Sequence, residues 1–495
     1  MRLGDCYIAG VGESLQDVDT PYDELITSHY DGLFGSFRKF DLESLAMTPQ
    51  LYDEVRTFEG QGLRMIERMK YYHQPDYDLP TSTPRFRDSF QARSDLFFRY
   101  CLFWDAVLRR YEFDAVITQN LSHMAWDLPL EKLCNLRAIP YLYFHEVGQW
   151  PRINYLGETV DELGDLTLGR HLKSMCEASW SPETPNRVVQ HLGRIRGLTT
   201  VSDPLFGRLE PAPPAKFKTG PFASILRNGD VRQNLDGLGD FTRAVSKKLS
   251  RLISSPISTS SKTRSTLVRA FRTSLSRKAE IQVAKPLDSS SPFVFFPLHF
   301  QPEASTGAKG RHFVEQREAA AMISQSLPEG WKLVIKEHPH QYRRLYDRKN
   351  FFWQRIASIP NVIVVRHDTD DSELVSLSEG VVSISHSTIA TRAWLSNVRT
   401  VFLAHSHLRS APSVHMISSL DELRQVWRSP KPLLRDDELL EYLREVEDST
   451  IECTLYGSPR YLPAEKQSEI IKRSQKNVTE VILAWLSLKG ICQYP

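Results

Sequence analysis

The sequence predicts an α/β protein in which two Rossmann-like domains face a cleft and a C-terminal helix crosses back to the first. Three observations predict this fold. Residues 293–339 run through an apolar strand, a polar loop, a helix and a second strand, which is a βαβ unit. Residues 113–146 repeat that arrangement, and residues 464–490 space their apolar side chains as one helix face. In both units polar residues follow the strands, where parallel sheets bind ligands.

The length and composition indicate a globular protein with more than one domain. The chain has 495 residues, of which 41% are hydrophobic and 25% are charged, and a single core rarely grows to that size. We predict a Rossmann-like domain at 1–205, a Pro-rich and basic linker or insert at 206–290, and a second Rossmann-like domain at 291–430. C-terminal helices at 431–495 are predicted to pack back on the first domain.

Charge and cysteine usage argue against several classes of protein. The net charge of +2 gives no reason to expect nucleic acid as a partner. Six cysteines are scattered without a CxxC pair, which favours a reducing cytoplasm over a disulfide framework or a zinc site. We see no signal peptide and no segment that approaches the roughly 20 apolar residues needed to span a bilayer. The expected location is therefore cytoplasmic.

The N-terminal half carries polar side chains after each predicted strand. The predicted elements are a helix at 94–111, a strand at 113–120, a helix at 127–138 and a strand at 139–146. The polar residues near the ends of these strands are Asn120, Ser122, His123, Asp127, His145 and Glu146. Because parallel strands end at one edge of a sheet, we expect these side chains to lie together there.

A basic stretch lies in the segment that joins the two halves. Residues 241–280 contain ten lysines and arginines against one acid, Glu280. The stretch is either a solvated, partly disordered linker or a basic surface that binds anionic lipid or an anionic acceptor. In the second case the protein would attach peripherally to the inner face of the membrane.

The C-terminal half is predicted to contain five strands, three of which are followed by polar clusters. The predicted strands are 293–298, 333–335, 360–367, 381–385 and 400–404. The clusters are Gln301, Pro302 and Glu303 after the first strand, Lys336, Glu337, His338 and Pro339 after the second, and His386, Ser387 and Thr388 after the fourth.

These residue types suit a nucleotide that carries phosphate. Lys336 and His338 can donate to phosphate oxygens, and the following proline fixes the turn. Ser387 at a helix start can cap free backbone N–H groups, and the same helix end attracts phosphate. Gln301 and Glu303 can bind the hydroxyl groups of a sugar or the polar atoms of a base. We therefore predict a nucleotide site at this edge of the sheet.

The motifs of this half resemble a known family. The pattern P-L-x-x-Q-P-E-x-S, a glycine-bearing loop, a helix, L-x-x-K-E-H-P and then a strand with Ser-Thr at a helix start is similar to bacterial capsular and surface polysaccharide biosynthesis proteins. The β-Kdo transferase-like group among them is recognised by its QP and HP motifs. The resemblance covers 293–420 well and 94–150 loosely. The matching residues are Gln301 and Pro302 for QP, His338 and Pro339 for HP, and Ser387 and Thr388 for the donor contacts at the helix start.

The resemblance implies a GT-B arrangement, with the nucleotide on the C-terminal domain and the acceptor on the N-terminal domain. It implies a glycosyltransferase of capsule or surface polysaccharide synthesis that moves a sugar from a CMP-Kdo-like or UDP-sugar donor to a glycan or glycolipid acceptor. The nucleotide-sugar is a substrate, so no cofactor is expected. No metal is expected either, because a helix start with Lys and His side chains can neutralise the phosphate.

One residue departs from the pattern of the family. Many GT-B enzymes carry an acid a few residues into the helix after the phosphate loop, where it holds the ribose hydroxyl groups. Arg392 stands at that place in this sequence. Either this helix does not bind the ribose hydroxyl groups, or Glu303 binds them instead.

The predicted catalytic group lies across the cleft from the nucleotide. A transferase of this kind must stabilise the leaving phosphate and activate the acceptor. We expect Glu146 to be the acid or base, because partial burial at the end of a strand can tune the pKa of a carboxylate. His145, Asp127 and His123 are its expected neighbours.

Other functions fit the same motifs. A phosphotransferase of the teichoic-acid polymerase type, with a CDP-alcohol donor, shares the two-domain architecture, and a sugar-nucleotide epimerase is a further relative in fold. From a different class, a non-catalytic polysaccharide-assembly subunit would keep the fold without the reaction. Arg392 fits that last alternative.

Overall fold

The fold was analysed in a computed structural model of the chain. The structure describes residues 46–69, 90–118, 120–122, 125, 127–147, 153–176, 261–287, 290–301, 303, 305–343, 347–348, 351–453 and 464–493. His123, Pro302 and most of the predicted linker lie outside these residues. The chain divides into two compact units, 1–197 with 272–495, and 198–271. Both sheets described below belong to the first unit.

The described N-terminal part begins with helices and continues into a small sheet. Its elements are α1 (Pro49–Arg56), α2 (Glu59–Met69), α3 (Phe90–Tyr111), β1 (Val116–Thr118), α4 (Leu128–Leu136), β2 (Tyr141–Val147), β3 (Ile153–Gly157) and α5 (Thr167–Met175). A 3-10 turn covers Val160–Glu162. Strands β1 and β2 are parallel and α4 lies between them in the chain, so the predicted βαβ unit is present.

Helix α6 (Ser261–Val283) precedes the second half and covers the end of the basic stretch. The single acid of that stretch, Glu280, is fully buried, and its carboxylate accepts a hydrogen bond from the His367 backbone N–H at 2.7 Å. Residues 241–260 lie outside the described residues. Binding of the basic stretch 241–280 to an anionic membrane surface therefore stays a prediction.

The C-terminal half is a doubly wound α/β domain. Its elements are β4 (Phe293–Pro297), α7 (Gln316–Ser326), β5 (Lys332–Lys336), α8 (Pro339–Arg343), α9 (Phe352–Ala357), β6 (Val362–Val364), α10 (Asp371–Leu377), β7 (Gly380–Ser383), α11 (Thr388–Leu395), β8 (Thr400–Phe402), β9 (Val414–Met416), α12 (Leu420–Arg428) and α13 (Asp436–Ser449). A short 3-10 helix covers Arg311–Val314. Side-chain caps at Asp370, Ser387 and Ser419 begin α10, α11 and α12.

The six strands of this half are all parallel and follow the Rossmann order. The order is β6-β5-β4-β7-β8-β9, so chain order reverses between β4 and β7. All five residues of β4 are buried. Val294 and Phe296 pack in one core and Phe293 and Phe295 in another, because alternate side chains of a strand point to opposite faces. Apolar packing on both faces is typical of a parallel sheet between helices.

The chain then returns to the N-terminal sheet. Strand β10 (Ile451–Glu452) completes the order β1-β2-β3-β10, and α14 (Ala464–Leu488) follows it. Trp485 of α14 is fully buried in the core that also contains Phe144 of β2. Gly169 of α5 approaches α13 so closely that a Cβ atom there would lie 1.7 Å from the Ser449 carbonyl oxygen. The predicted α/β fold, with its two Rossmann-like halves and a crossover helix, is confirmed.

Several elements were not predicted from the sequence. The N-terminal sheet gains the antiparallel strands β3 and β10, so only its β1–β2 pair is parallel in the described part of the chain. Strand β9 was also missed, as were helices α1 and α2. The predicted domain boundaries at 205, 290 and 430 stay predictions.

Candidate functional site

The candidate site lies at the reversal of strand order in the six-stranded sheet. In such sheets ligands bind in the crevice beyond the carboxyl ends of the two central strands, here β4 and β7. His299 follows β4, and its Nε2 atom lies 3.0 Å from the hydroxyl of Ser383, which ends β7. Burial lowers the pKa of His299 to about 3, so its imidazole is neutral. The two strand ends are thus joined by uncharged side chains.

Helix α11 begins at the same crevice. The Ser387 hydroxyl accepts a hydrogen bond from the Ala390 backbone N–H at 3.1 Å, which makes it the predicted cap, and Thr388 is the first helical residue. The Ser383 hydroxyl lies 3.2 Å from that of Ser387. The other N–H groups of the first turn carry partial positive charge and favour an anion. Contact of Ser387 and Thr388 with phosphate stays a prediction.

The loop 305–310 lies over the end of β7. The Ser385 hydroxyl donates to the Ser305 carbonyl at 2.8 Å. A Cβ atom at Gly310 would lie 2.8 Å from the Thr306 backbone, so the loop closes tightly on itself there. This loop carries a lysine, Lys309, into the interior of the protein.

Lys309 brings a buried positive charge to the N-terminal sheet. It is 7% exposed, and its Nζ atom lies 3.5 Å from His145 Nε2 on β2. His145 Nδ1 lies 3.5 Å from the side-chain oxygen of Asn120, beyond β1. Burial lowers the pKa of Lys309 to about 8, and the carboxylate of Glu303 opposes that shift. The amine is therefore still mostly protonated at pH 7.

Two further imidazoles complete a group that we call the histidine–lysine cluster: His145, Lys309, His386 and His407. The ring centroids of His386 and His407 are 3.7 Å apart, and those of His145 and His407 are 6.1 Å apart. Neither ring nitrogen of His407 has a hydrogen-bond partner among the described residues, and Nδ1 of His386 has none either. Burial lowers the pKa of both side chains well below the ordinary value, so both are neutral.

The unpartnered nitrogens of His386 and His407 lie together at the strand-order reversal, whereas other unpartnered buried atoms, such as Trp353 Nε1 and Ser94 Oγ, lie elsewhere in the core. His407 is 1% exposed, and a buried polar group without a partner costs about 1–3 kcal/mol. Buried polar atoms in proteins are nearly always hydrogen-bonded, so an exception calls for a reason. A ligand with hydroxyl groups or phosphate oxygens would supply the missing partners.

A buried arginine, Arg348, joins the loops that follow β4 and β5. Both carboxylate oxygens of Glu337 accept from Arg348 at 2.6 Å. The guanidinium also donates to Gln301 Oε1 at 2.7 Å and to the His299 carbonyl at 3.0 Å. The Gln301 amide nitrogen donates to the Val314 carbonyl at 2.6 Å. Because the Gln301 side chain is hydrogen-bonded within the protein, direct contact with a donor would require an exchange of these bonds.

The other residues predicted to hold the donor also have protein partners. Lys336 is 4% exposed and forms an ion pair with Asp371 at the start of α10. His338 Nδ1 accepts from the His340 backbone N–H at 3.1 Å, and burial lowers the pKa of His338 to about 3. Pro339 begins α8. Their direct contact with phosphate stays a prediction.

Two of the three residues predicted to be catalytic, His145 and Asp127, have side chains within the described part of the chain. His145 belongs to the histidine–lysine cluster, whereas Asp127 immediately precedes α4. The backbone of Glu146 lies in β2, but its side chain is outside the description, so its catalytic role stays a prediction. A buried acid that the sequence analysis missed is Glu131 of α4, which accepts a hydrogen bond from the Ser122 hydroxyl.

The two residues linked with ribose recognition lie at different places. Arg392 of α11 donates to the Ser372 hydroxyl on α10 at 2.9 Å. Glu303 is exposed and accepts from the Ser305 hydroxyl at 2.9 Å. Glu303 lies in the loop that leads to Lys309. Its predicted contact with the ribose hydroxyl groups stays a prediction.

Sequence reasoning missed Lys309, His407 and Arg348. A signal existed for the first two. Lys309 stands between Gly307 and Gly310 in the glycine-bearing loop, and His407 follows β8 in a polar run at the same sheet edge. Arg348 follows α8 in a segment without a motif, and only the tertiary structure brings it to Glu337.

No arrangement for a metal ion is found among the described residues: no three His, Cys, Asp or Glu side chains there are grouped to hold one. The tripeptide Asp368–Thr369–Asp370 has the DxD pattern, but its acids have structural roles. Asp368 pairs with Arg366 at 2.6 Å, and Asp370 caps α10. Within the described ranges no helix is long and apolar enough to cross a membrane.

Comparisons with known proteins give similarities in structure only. No protein-family model and no curated protein sequence matches the chain. Among solved structures, the chain is similar to the β-Kdo 2,7 transferase of Thermosulfurimonas dismutans KpsC, with 14% identity, a TM-score of 0.24, and coverage of 38% of this chain and 54% of that one. WaaG, a glycosyltransferase involved in lipopolysaccharide biosynthesis, shows 16% identity, a TM-score of 0.19, and coverage of 34% and 45%.

A third similar structure is the β-Kdo 2,4 transferase of Thermosulfurimonas dismutans KpsC. It shows 11% identity, a TM-score of 0.26, and coverage of 70% of this chain and 81% of that one. For the first two structures, the 2,7 transferase and WaaG, the chain spans only about half of the other protein's length. At identities and TM-scores this low the similarities carry no argument about activity, which must come from the contacts of the site.

The buried pair of Arg348 and Glu337 leads to a stability prediction. Arg348→Leu leaves a carboxylate and an amide oxygen without their donor in the core, and we expect the free energy of unfolding to fall by about 3–5 kcal/mol. Adding Glu337→Leu removes the uncompensated acid and should restore a large part of the loss. Urea denaturation of the single and double variants measures both. Equal or greater instability of the double variant would contradict this account of the pair.

Proposed function

We propose that the chain is a nucleotide-sugar glycosyltransferase of capsule or surface polysaccharide biosynthesis. The observation that carries the proposal is the histidine–lysine cluster at the strand-order reversal of a Rossmann sheet. Two features favour a phosphate-bearing ligand: the buried ammonium of Lys309 within the cluster and the capped start of α11 beside it. The unpartnered nitrogens of His407 favour a ligand rich in hydroxyl groups or phosphate oxygens.

In the proposed complex the donor phosphate binds between Lys309 and the start of α11. The ammonium supplies a full charge in a water-poor site, where an ion pair is stronger than in water. The backbone N–H groups of α11 supply fixed dipoles that need no reorganisation during the reaction. Both groups stabilise the negative charge that develops as the bond between the sugar and the phosphate breaks.

The acceptor is proposed to approach from the N-terminal sheet. His145 lies on β2 of that sheet, within 3.5 Å of Lys309. In the proposed reaction an acceptor hydroxyl oxygen bonds to the anomeric carbon, the phosphate leaves with the electron pair of the broken bond, and an imidazole takes the hydroxyl proton. We assign the proton transfer to His145, with Glu146 and Asp127 kept as candidates on the same half of the protein.

The finer identity of the substrates rests on the resemblance of the QP and HP motifs. It suggests a CMP-Kdo-like or UDP-sugar donor and a glycan or lipid-linked acceptor. In this proposal the nucleotide-sugar is consumed as a substrate and the reaction uses neither a cofactor nor a metal. A cytoplasmic location, with attachment to an anionic membrane surface through 241–280, belongs to the same proposal.

Nucleotide binding tests the donor site directly. We expect one of CMP, UDP, CDP and GDP to bind by isothermal titration. Lys309→Met should weaken that binding by about ten- to a hundredfold, because a hydrogen bond to a charged group is worth about 1.5–3 kcal/mol. Arg424→Gln is the control, since Arg424 is an exposed cation whose ion pair among the described residues is with Asp421 along α12.

Two results would count against the donor site. One is a protein that binds none of the four nucleotides. The other is equal affinity of the Lys309→Met and wild-type proteins for the nucleotide that binds. If a nucleotide binds as expected, the product separates the alternatives: glycosyl transfer makes a glycosidic bond, whereas transfer from a CDP-alcohol makes a phosphodiester.

The pKa of Lys309 predicts how binding depends on pH. An anion stabilises the ammonium and raises the pKa of Lys309 in the complex above about 8, its value in the free protein. Affinity for the nucleotide-sugar of the nucleotide that binds should therefore be constant below that pH. Above it, affinity should fall by up to about tenfold per pH unit, until the pKa of the complex is reached. Titrations from about pH 7 to about pH 9 measure this, and a flat profile would contradict it. The Lys309→Met variant should lack the decline.

A further inference from the structure

A separate cavity of about 400 Å³ lies beside the histidine–lysine cluster. Its lining includes Gln61, Arg64, Lys132, Asp161, Arg311 and His405. None of these residues belongs to the cluster. The volume is within the range of small-molecule sites, about 300–1,000 Å³. We call this cavity the basic pocket.

The lining of the basic pocket is rich in positive charge. It holds three cationic side chains against one carboxylate, that of Asp161. Arg64 pairs with Glu318 at 3.3 Å and Lys132 pairs with Glu131 at 3.6 Å, but neither of those acids lines the pocket. These two pairs offset much of the charge of Arg64 and Lys132, and Arg64 also donates to the His312 carbonyl at 2.7 Å. Arg311 is therefore the cation that the pocket offers most directly to a ligand.

Arg311 is the cation of the pocket whose guanidinium donates to an uncharged side chain. Its backbone φ of 49° lies in the left-handed region, which a non-glycine residue adopts at a cost of about 1–3 kcal/mol. Its Nε atom donates to His405 Nε2 at 3.0 Å. Burial and the neighbouring Arg311 lower the pKa of His405 to about 4, so His405 is neutral and can accept that bond. The guanidinium is therefore oriented by an uncharged partner.

Asp161 provides only a loose counter-charge to this guanidinium. Its carboxylate oxygen lies 3.6 Å from Arg311 Nη2, and the side chain is 71% exposed. It also lies 3.3 Å from His405 Nε2, the atom that already accepts from Arg311. A bidentate oxyanion is a better partner for a guanidinium than a single distant carboxylate oxygen.

We propose that the basic pocket is a second ligand site, which binds the phosphate or carboxylate group of a small molecule. Arg311 is the principal contact, and the ligand oxyanion displaces the carboxylate of Asp161. Lys132 and Arg64 line the same pocket and add a weaker, partly offset positive charge. The pocket adjoins the histidine–lysine cluster, since the Lys309 carbonyl accepts from the backbone N–H of the lining residue His405 at 3.1 Å. The proposal does not depend on glycosyl transfer and holds for a chain that binds no nucleotide.

The test uses three sugars of similar size that differ in charge: glucose, glucose 6-phosphate and glucuronate. Binding to the full chain is measured by isothermal titration at constant ionic strength. We expect glucose 6-phosphate or glucuronate to bind and glucose not to bind. Arg311→Gln should weaken the binding about tenfold, and Asp161→Asn should strengthen it about threefold by removing the competing charge.

Opposite effects of the two variants separate binding from damage to the fold, since an unfolded protein cannot bind more tightly. Arg424→Gln, whose side chain is as exposed as that of Arg311 (43% against 45%), is the control and should leave binding unchanged. The affinities for glucose 6-phosphate and glucuronate show whether the pocket prefers a phosphate or a carboxylate. Equal binding of glucose, no binding of either anion, or a loss of affinity in Asp161→Asn would overturn the proposal.

Discussion

The buried guanidinium of Arg348 is the interaction on which the candidate site depends. It joins the carboxylate of Glu337 after β5 to the carbonyl of His299 and the amide of Gln301 after β4. Two strand ends of a parallel sheet carry polar groups that the core cannot leave without partners. Because one planar group with five N–H donors satisfies both loops, they can stay buried and ordered. The loops after β4 and β5, which border the crevice next to β7, are thereby held in place.

The rest of the candidate site consists of neutral imidazoles and one cation. Burial keeps His299, His386 and His407 uncharged, whereas Lys309 keeps most of its charge at pH 7. Such a site favours an anion with hydrogen-bonding groups over a cation. The unpartnered nitrogens of His407 lower the stability of the free protein, and a binding site commonly carries this kind of cost. The basic pocket around Arg311 is proposed to share this preference for anions.

Much of the C-terminal half was predictable because its strands are short apolar runs bounded by polar loops. The run 293–298 gave β4, and the polar cluster after 381–385 gave the capped start of α11. Strand β9 was not predictable, since Val414–Met416 has no apolar run and is held by pairing with β8. The roles of single residues were harder still. Lys336 has a suitable charge for phosphate, but Asp371, 35 positions later, neutralises it. Arg348 acts only through contacts that are distant in sequence.

The central claim is that phosphate binds between Lys309 and the start of α11. The most direct measurement is a crystal structure of the protein with a bound nucleotide-sugar. The account predicts phosphate oxygens within hydrogen-bonding distance, about 2.7–3.2 Å, of Lys309 Nζ and of the backbone N–H groups that begin α11. It also predicts a ligand atom bonded to a ring nitrogen of His407. A nucleotide found elsewhere, with His407 still unpartnered, would contradict the account.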